Sequence, residues 1–244
     1  MGSKKEWFGQ WFNSKYYHIL YKHRDHEEAR MFIDSLINHL ALNKNSLIMD
    51  LACGKGRHSI YFNNKGFRVV GLDLSEKNIV SAKKHENNQL HFYTHDMRNN
   101  WSKNEFDCVL NLFTSFGYFD TESEDLQAIK AVAGCLKSGG KFILDFLNPY
   151  TVIHHLVAEE IKIVDGIEFH INKDVSDGFI VKDITFSDNG IDYSYHEKVR
   201  AIRRVKFLEY FEDAGLTLIE IFGDYELNPY IAEKSERMIF HLKK

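Results

Sequence analysis

The most constraining feature of this chain is a short apolar run that ends on an acid and passes at once into a turn of small residues. Residues 46–49 suit a buried strand, and Asp50 follows them directly. Residues 52–56 carry Ala or Gly at alternate positions, so the backbone can turn sharply and approach a ligand without intervening side chains. The helix predicted to begin near Arg57 points free N–H groups at the same place, which favours a carboxylate or phosphate. The segment therefore predicts an α/β fold with a ligand at this loop.

Two cofactor-binding patterns compete for the loop. Residues 54–59 come within one residue of the dinucleotide pattern G-x-G-x-x-G, with Ser59 in the place of the third small residue. Nothing in that pattern requires Asp50. Residues 50–56 instead resemble the form [D/E]-x-G-x-G-x-G of the class I S-adenosylmethionine-dependent methyltransferases. They depart from it only at Ala52, where a backbone with positive φ would resist alanine.

Later segments resemble the same family in the same order. An apolar strand over residues 67–72 ends in Asp73, and an acid about 20 residues beyond a glycine loop is placed to accept the ribose hydroxyls of a nucleoside. A strand over residues 90–93 leads to Asp96 and Met97. In the resemblance these two are the acid that binds the adenine amino group and the apolar side chain that covers the ring.

Two further segments complete the likeness, since residues 106–113 resemble the fourth strand and residues 136–144 the Leu-Lys-x-Gly-Gly turn into the fifth. The resemblance implies a doubly wound, mostly parallel seven-stranded, Rossmann-like sheet with an antiparallel final hairpin. It implies S-adenosylmethionine as cofactor and S-adenosylhomocysteine as product. An Asp after a strand is otherwise often only a helix N-cap or turn former. The implied cofactor-binding residues are Asp50, Ala52, Cys53, Gly54, Gly56, Asp73, Leu74, Asp96, Met97 and Asn111.

Composition agrees with a cytoplasmic enzyme. At 244 residues and 44% hydrophobic content the chain can bury a full core, and we interpret it as one domain with an insertion. A net charge of −4 gives no general basic footprint for nucleic acid. No apolar stretch approaches the ~18 residues of a membrane span. The three cysteines and the histidines lack metal-ligand spacing, so we expect no metal and a reducing compartment. From the charge and the lack of a membrane span we expect neither a nucleic-acid nor a membrane partner.

A segment of different character follows the fifth strand. Alternating runs at residues 161–164, 167–175, 179–186 and 191–199 are separated by Asp-Gly, Asp-Gly and Asn-Gly pairs, which are strong hairpin signals. They predict a small antiparallel sheet within residues 150–200, beside the carboxyl ends of the parallel strands. Three roles stay open for this sheet: it roofs the substrate site, it offers a surface for a homodimer, or it only covers the rest of the domain.

The N-terminal segment from Trp7 to Leu42 is predicted to be helical, with an aromatic stripe that packing into the core would explain. In the family resemblance this segment is a lid over the cofactor. Tyr17, Tyr21 and Arg24 are then the residues expected to touch its methionine end.

The end of the chain reads as a helix over residues 205–214 that is stopped by Gly215, followed by two strands at residues 216–222 and 237–242. These two strands supply the antiparallel final hairpin of the family. The chain therefore divides into a helical lid over residues 1–42, a methyltransferase domain over 43–149 and 201–244, and the β insertion over 150–200.

Residues 197–200, 211–216 and 223–225 resemble a bacterial group of small-molecule methyltransferases. The function that this resemblance implies is methyl transfer to a nitrogen or oxygen of a small-molecule acceptor. Asn148, Arg200 and Tyr225 lie at the ends of segments expected around the pocket and are predicted to contact the acceptor, and Arg200 suits an acidic one. No residue is singled out as a catalytic base. Two alternatives stay open: a non-catalytic module that binds S-adenosylmethionine, and an oxidoreductase that uses NAD.

Overall fold

The computed structural model describes residues 11–22 and 26–244 of the chain. The helices within these ranges are α1 (Lys15–Leu20), α2 (His26–Leu40), α3 (Arg57–Asn64), α4 (Glu76–Ala82), α5 (Glu122–Cys135), α6 (Pro149–His154) and α7 (Arg204–Asp213), with a 3₁₀ turn at Lys83–His85. The strands are β1 (Leu47–Leu51), β2 (Arg68–Asp73), β3 (Leu90–Thr94), β4 (Phe106–Asn111), β5 (Leu136–Leu147), β6 (Glu159–Val164), β7 (Ile167–Ser176), β8 (Phe179–Asp188), β9 (Ile191–Arg200), β10 (Thr217–Phe222) and β11 (Arg237–Lys243).

Seven of the strands form one sheet in the order β10-β11-β5-β4-β1-β2-β3. The pairs from β5 through β4, β1 and β2 to β3 are parallel, whereas β11 runs antiparallel to both β5 and β10. The predicted doubly wound sheet with an antiparallel final hairpin is confirmed. The order of the strands reverses between β1 and β4, and ligands of open α/β sheets bind outside the carboxyl ends of the strands at such a point.

The central strands are buried on both faces of this sheet. Neighbouring side chains on β1 point to opposite sides, and Ile48 and Met49 are 0% and 1% exposed. Ile48 belongs to an apolar cluster with Phe32 of α2, whereas Met49 belongs to a cluster with Ile129 of α5. Helices therefore cover both faces, which explains why the strands read as continuous apolar runs in the sequence.

The remaining strands form a second, antiparallel sheet in the order β6-β7-β8-β9. The three predicted turns join them, and all six turn residues have φ between 50° and 79°. Positive φ at both central residues is the geometry of type I′ hairpin turns, in which Asn, Asp and Gly are favoured. The turns are Asp165-Gly166, Asp177-Gly178 and Asn189-Gly190.

Residues 11–22, here called the lid segment, pack against the inner face of the second sheet. Trp11, Tyr16 and Leu20 are buried in a cluster with Phe169 and Ile184 of that sheet. Helix α1 begins after Ser14, whose side chain accepts the backbone N–H of Tyr17 at 3.1 Å. The aromatic stripe is thus the core of a lid–sheet unit. Its predicted first members, Trp7 and Phe8, lie outside the described residues.

Replacing Gly178 by Val is expected to lower the free energy of unfolding by about 1–2 kcal/mol, because an L residue resists positive φ. Gly178 has φ +79°, and a Cβ built there meets no atom within 4 Å, so the cost comes from the backbone alone. Urea unfolding followed by circular dichroism measures the change. Glu168→Val, at an exposed strand position of the same sheet, is the control and should shift stability by less than about 0.5 kcal/mol. Equal losses in both variants would contradict this account of the turn.

Candidate functional site

A cavity of about 660 Å³ opens where the carboxyl ends of β1, β2, β3 and β4 meet the lid segment. We call it the central cavity. Its size is that of a small-molecule or cofactor site. It is lined by Phe12, Asn13, Tyr17, His18, Tyr21, Lys22, Leu51, Ala52, Cys53, Gly54, Lys55, Arg57, His58, Asp73, Leu74, Ser75, Asn78, His95, Asp96, Met97 and the run Leu112, Phe113, Thr114, Ser115, Phe116, Gly117, Tyr118 and Phe119.

The loop after β1 forms the floor of the cavity and has the left-handed geometry that its small residues suggest. Ala52, Gly54 and Gly56 have φ values of 62°, 57° and 85°. A Cβ built on Gly54 meets no atom within 4 Å, whereas one on Gly56 lies 2.6 Å from the Cζ atom of the Phe92 ring. Gly54 therefore presents bare backbone to the cavity, and Gly56 is needed because the loop rests on Phe92. Ala52 and Gly54 line the cavity, and Gly56 lies behind them.

The carboxylate of Asp73 faces the cavity at the end of β2. One of its oxygens accepts the backbone N–H of Gly54 and the other that of Ser75, both at 2.8 Å. Burial raises the pKa of this carboxyl, and the two backbone hydrogen bonds oppose the rise. The hydrogen bonds also join the cofactor loop to β2, so the carboxylate has a fixed place beside the glycine backbone.

Asp96 and Met97 follow β3 and line the same cavity, together with Leu74. The guanidinium of Arg98 donates hydrogen bonds to the carboxylate of Asp96 at 2.5 and 3.0 Å. It also donates to the carboxylate of Glu124 on α5 at 2.7 Å. Burial would raise the pKa of Asp96, but the hydrogen bonds from Arg98 outweigh it and the pKa is lowered. Asp96 is therefore ionised and oriented by Arg98 at neutral pH.

Asp50 does not line the cavity, although the sequence pattern places it in the cofactor-binding set. It is 1% exposed beneath the loop and accepts the hydroxyl of Ser59, on α3, at 2.5 Å. Burial raises its pKa to about 6, against the hydrogen bond from Ser59. Asp50 thus links β1 to the first turn of α3 from below.

Asn111 also lies behind the wall, at the end of β4, and is 1% exposed. Its amide nitrogen donates to the carbonyl of Leu51 at 3.1 Å. Its Oδ1 atom is buried with no hydrogen-bond partner in the described part of the chain. Burying a carbonyl oxygen without a hydrogen-bond donor costs folding free energy. Asn111 is adjacent to two residues that line the cavity, Leu51 through its hydrogen bond and Leu112 along the chain.

The lid segment closes one side of the cavity, as the resemblance implies. Tyr17 and Tyr21 line it, and so do Phe12, His18 and Lys22, which sequence reasoning missed. The aromatic stripe was the available signal for Phe12. Arg24, the third predicted lid contact, lies outside the described residues.

The loop between β4 and α5 forms the opposite wall and was also missed. Phe113 and Thr114 have φ values of 58° and 55°, although neither is glycine. Buried Asp145 on β5 accepts the backbone N–H of Phe113 at 2.7 Å, and Arg237 on β11 donates to the hydroxyl of Thr114 at 2.8 Å and to Asp145 at 2.5 Å. This ion pair holds two consecutive residues in a conformation that L residues rarely adopt.

Two residues at the start of α3, one aromatic and one basic, pack on the ring of Phe113. The ring of His58 stacks on it at 4.8 Å and 11°, and the guanidinium of Arg57 lies 4.8 Å from its centroid. Arg57 also donates to His58 Nε2 at 2.9 Å. The hydrogen bond requires His58 to be neutral at this nitrogen.

Three residues predicted to contact the acceptor lie outside the cavity. Asn148 is the N-cap of α6, and its amide group donates to the carbonyls of Ala232 and Ser235. Arg200 pairs with buried Asp125 at 3.0 Å. Tyr225 packs on Phe32 and on the rear of Phe113 at ring distances of 4.6 and 5.0 Å. Each was predicted from the end of its segment, which fixes the region but not the direction of the side chain.

Comparison with known proteins agrees with this geometry. Residues 48–140 match the family model described as a methyltransferase domain. A glycine/sarcosine N-methyltransferase of Parasynechococcus marenigrum (strain WH8102) is 28% identical over 230 residues, which cover 88% of this chain and 79% of that protein. An S-adenosylmethionine-dependent methyltransferase from Clostridium acetobutylicum ATCC 824 superposes with a TM-score of 0.80 at 22% identity, covering 94% of this chain and 97% of the other. An amino pentose methyltransferase from Micromonospora echinaspora, solved with bound S-adenosylmethionine, gives a TM-score of 0.72 at 19% identity over 94% and 97% of the two chains.

Residues 48–140 thus match a methyltransferase domain, and the chain has the fold of the class I methyltransferases. The family resemblance seen in the sequence is confirmed, and S-adenosylmethionine is the cofactor that the domain and fold imply. The cavity of this methyltransferase fits such a group, since bare backbone at Gly54 and the carboxylate of Asp73 face it at one end. Among the described residues, no cluster of three or more His, Cys, Asp or Glu side chains is arranged to hold a metal ion. None of the described helices has the length and apolar character needed to cross a membrane.

Replacing Ala52 by Gly in this methyltransferase is expected to raise the free energy of unfolding by about 1 kcal/mol, because Ala52 has φ +62° and glycine adopts that conformation without strain. Thermal or urea unfolding measures the change. Ala131→Gly, inside helix α5, is the control and should destabilise by about 1 kcal/mol. A loss of stability at position 52 would show that the loop does not resist alanine.

The raised pKa of Asp50 predicts a pH effect on stability. A folded-state pKa of about 6, above the usual 3.8, means that this group favours the folded state below pH 3.8 and that the benefit is lost as the pH rises to about 6. The stability of Asp50→Asn relative to the parent methyltransferase should therefore increase over that pH interval. Urea unfolding of both proteins between pH 4 and pH 7 measures the difference. A difference that stays flat, or falls with pH, would contradict the assignment.

Proposed function

We propose that the chain transfers a methyl group from S-adenosylmethionine to a nitrogen or oxygen of a small-molecule acceptor held in the central cavity. The observation that carries the proposal is the carboxylate of Asp73, which faces the cavity beside the bare backbone of Gly54. The Asp73 carboxylate accepts the backbone N–H groups of Gly54 and Ser75 and a side-chain hydrogen bond from Asn78. A carboxylate has roughly four acceptor sites, so capacity is left for a ribose hydroxyl.

The nucleoside base fits the far side of this carboxylate. Leu74 and Met97 line the cavity there, and Leu74 is 44% exposed, so apolar surface is available for the faces of an adenine ring. Asp96 is held ionised by Arg98 and accepts the exocyclic amino group in the proposed complex. The exposure of Leu74 follows from this role, since a base covers it when bound.

The methionine end of the cofactor lies along residues 52–54 in the proposal. The amino-terminal end of α3, a helix of eight residues, lies next to this loop. Its N-cap residue is Gly56, so the helix end has no side-chain cap hydrogen bond. The positive end of the helix dipole favours the methionine carboxylate there.

The described residues that line the cavity include more basic than acidic side chains. Asp73 and Asp96 are the only acids among the described lining residues, and both are assigned to the nucleoside. Lys22, Lys55 and Arg57 line the cavity as well. Positive surroundings disfavour a protonated amine, so a bound amine is held neutral with its lone pair available. The names of the glycine/sarcosine N-methyltransferase and the amino pentose methyltransferase fit an amine acceptor.

For this reaction the protein has to do little more than position the acceptor atom against the methyl group. S-adenosylmethionine supplies a methyl group activated by its sulfonium. The walls contributed by Tyr17, Tyr21 and the β4–α5 loop hold the acceptor atom in line and exclude water. Such positioning contributes roughly 7–11 kcal/mol to lowering a barrier, so a catalytic base is not required for a neutral amine. The cytoplasmic location and the homodimer remain predictions from the sequence.

Substitution of Asp73 by Asn is expected to weaken binding of S-adenosylhomocysteine by about tenfold or more, because a charged hydrogen bond is worth ~1.5–3 kcal/mol. Isothermal titration calorimetry measures the affinity. Asp107→Asn is the matched control: Asp107 also accepts a backbone N–H at 2.8 Å, from Leu47, but lies outside the cavity. Its variant should bind as the parent protein does. Equal affinity in the Asp73 variant would overturn the ribose assignment, and binding of NAD in place of S-adenosylhomocysteine would overturn the function.

Methyl transfer itself is tested with S-adenosylmethionine carrying a labelled methyl group and a panel of small amines and alcohols. The proposal requires that S-adenosylhomocysteine and a labelled product appear in equal amounts, and amines should react before alcohols. Tight binding of S-adenosylhomocysteine without product from any acceptor, under conditions where a known methyltransferase turns over, would favour a non-catalytic binding module instead.

A further inference from the structure

Strand β9 of the second sheet touches both walls of the central cavity through four consecutive residues, 197–200, which we call the β9 end. Glu197 contacts the lid segment: its carboxylate accepts the indole N–H of Trp11 and the hydroxyl of Tyr21, the latter at 3.0 Å. Lys182 on β8 pairs with the same carboxylate at 3.0 Å and donates to the Tyr21 hydroxyl at 2.7 Å. The side chain of Tyr21 is thereby fixed from its polar end, while Tyr21 lines the cavity.

The next residues of the β9 end contact the opposite wall. The backbone N–H of Arg200 donates to the carbonyl of Gly117 at 2.8 Å, and its guanidinium donates to the carbonyls of Phe119 and Asp120 at 3.3 and 2.8 Å. Lys198 pairs with Asp120 at 2.8 Å. Gly117 and Phe119 belong to the β4–α5 loop that lines the cavity.

Arg200 is itself fixed in the interior. It pairs at 3.0 Å with Asp125, which is 0% exposed on the first turn of α5. Burial raises the pKa of Asp125 to about 7, and the guanidinium opposes that rise. The ring of Phe179, at the paired position on β8, lies 4.6 Å from the guanidinium. The β9 end is therefore attached to the part of the protein that contains the seven-stranded sheet by a side-chain contact with α5, in addition to the covalent connection of the backbone.

Alternation along the strand explains why one short segment serves two walls. Successive side chains of a strand point to opposite faces. Glu197 faces the lid segment on the inner side of the second sheet, while Lys198 and Arg200 face the β4–α5 loop and α5. The two walls also meet directly, where the ring centroids of Phe12 and Tyr118 lie 5.4 Å apart.

We propose that Glu197 and Arg200 are positioning residues, which act through Tyr21 and the β4–α5 loop to hold the two walls of the acceptor chamber at a fixed separation. The role of these walls in acceptor binding rests on the proposed function. The coupling between them does not, since it is a property of the unliganded protein. Neither residue lines the cavity, so they set the geometry of the site from outside it.

Hydrogen–deuterium exchange of the unliganded full chain tests the coupling. Glu197→Gln keeps the shape of the side chain but loses the charge that Lys182 pairs with. Arg200→Lys keeps a cation beside Asp125 but loses the guanidinium bonds to the loop carbonyls. If the β9 end joins the walls, each variant should raise the exchange rate in both residues 11–22 and residues 112–120, by about tenfold for the loss of a charged hydrogen bond.

Glu168→Gln is the matched control. Glu168 lies on β7 of the same sheet, with its side chain 54% exposed, and pairs with His170 away from the lid. Its variant should leave exchange in both segments unchanged. A response confined to the lid for Glu197→Gln, or to the loop for Arg200→Lys, would overturn the coupling. An equal rise in strand β5 would also count against it, because that pattern reports general loss of stability.

Affinity for S-adenosylhomocysteine separates this inference from the proposed function. The Glu197 variant should bind about tenfold more weakly than the parent protein, because the conformation with Tyr21 in place is less populated. Failure of the parent protein to bind at all would refute the proposed function while the exchange data still decide the coupling. Unchanged affinity together with unchanged exchange in the loop would refute the coupling alone.

Discussion

The hydrogen bonds that join Gly54 and Ser75 to the carboxylate of Asp73 are the constraint on which the site depends. They tie the loop after β1 to the end of β2, so that the left-handed backbone at residues 52–56 has one position relative to the sheet. Phe92 of β3 supports the same loop from beneath, since neither Gly56 nor Gly71 leaves room for a side chain above its ring. Three neighbouring strands thus cooperate to expose a few atoms of bare backbone and one carboxylate.

The antiparallel end of the sheet has an equally direct part in the site. Arg237 on β11 reaches across to buried Asp145 on β5, and together they hold Phe113 and Thr114. A buried ion pair adds little net stability, because removing both charges from water is costly. Here its value lies in stabilising a strained loop, whose residues Phe113 and Thr114 have positive φ without being glycine. The final hairpin therefore shapes the cavity wall, although two strands, β5 and β4, separate it from β1.

The sequence predicted the fold well because its signals are local. Apolar runs, the acids that end them and the Asp-Gly and Asn-Gly pairs each specify a strand or turn within a few residues. Part of the cavity lining was predictable for the same reason: Ala52, Gly54, Asp73 and Met97 lie at or just after strand ends, and all line the cavity. Local signals do not specify the direction in which a side chain points. Asp50, for example, also ends a strand, but its side chain lies beneath the loop and does not line the cavity.

What the sequence could not show depends on contacts between distant segments. The β4–α5 loop contains no signal for positive φ at Phe113, since Asp145 and Arg237 impose it from other strands. Arg200 suits an acidic ligand by residue type, but a buried carboxylate of the protein, Asp125, already occupies it. Contacts of this kind join residues far apart in the chain, and no local pattern announces them.

The packing of the lid segment has a consequence for how such enzymes diversify. Trp11, Tyr16 and Leu20 are buried in the second sheet and not in the methyltransferase sheet. Exchanging the insertion alone between relatives would leave these aromatic side chains without their complementary surface. A transplant of this unit must therefore carry both pieces together, residues 11–22 with the four strands β6 to β9.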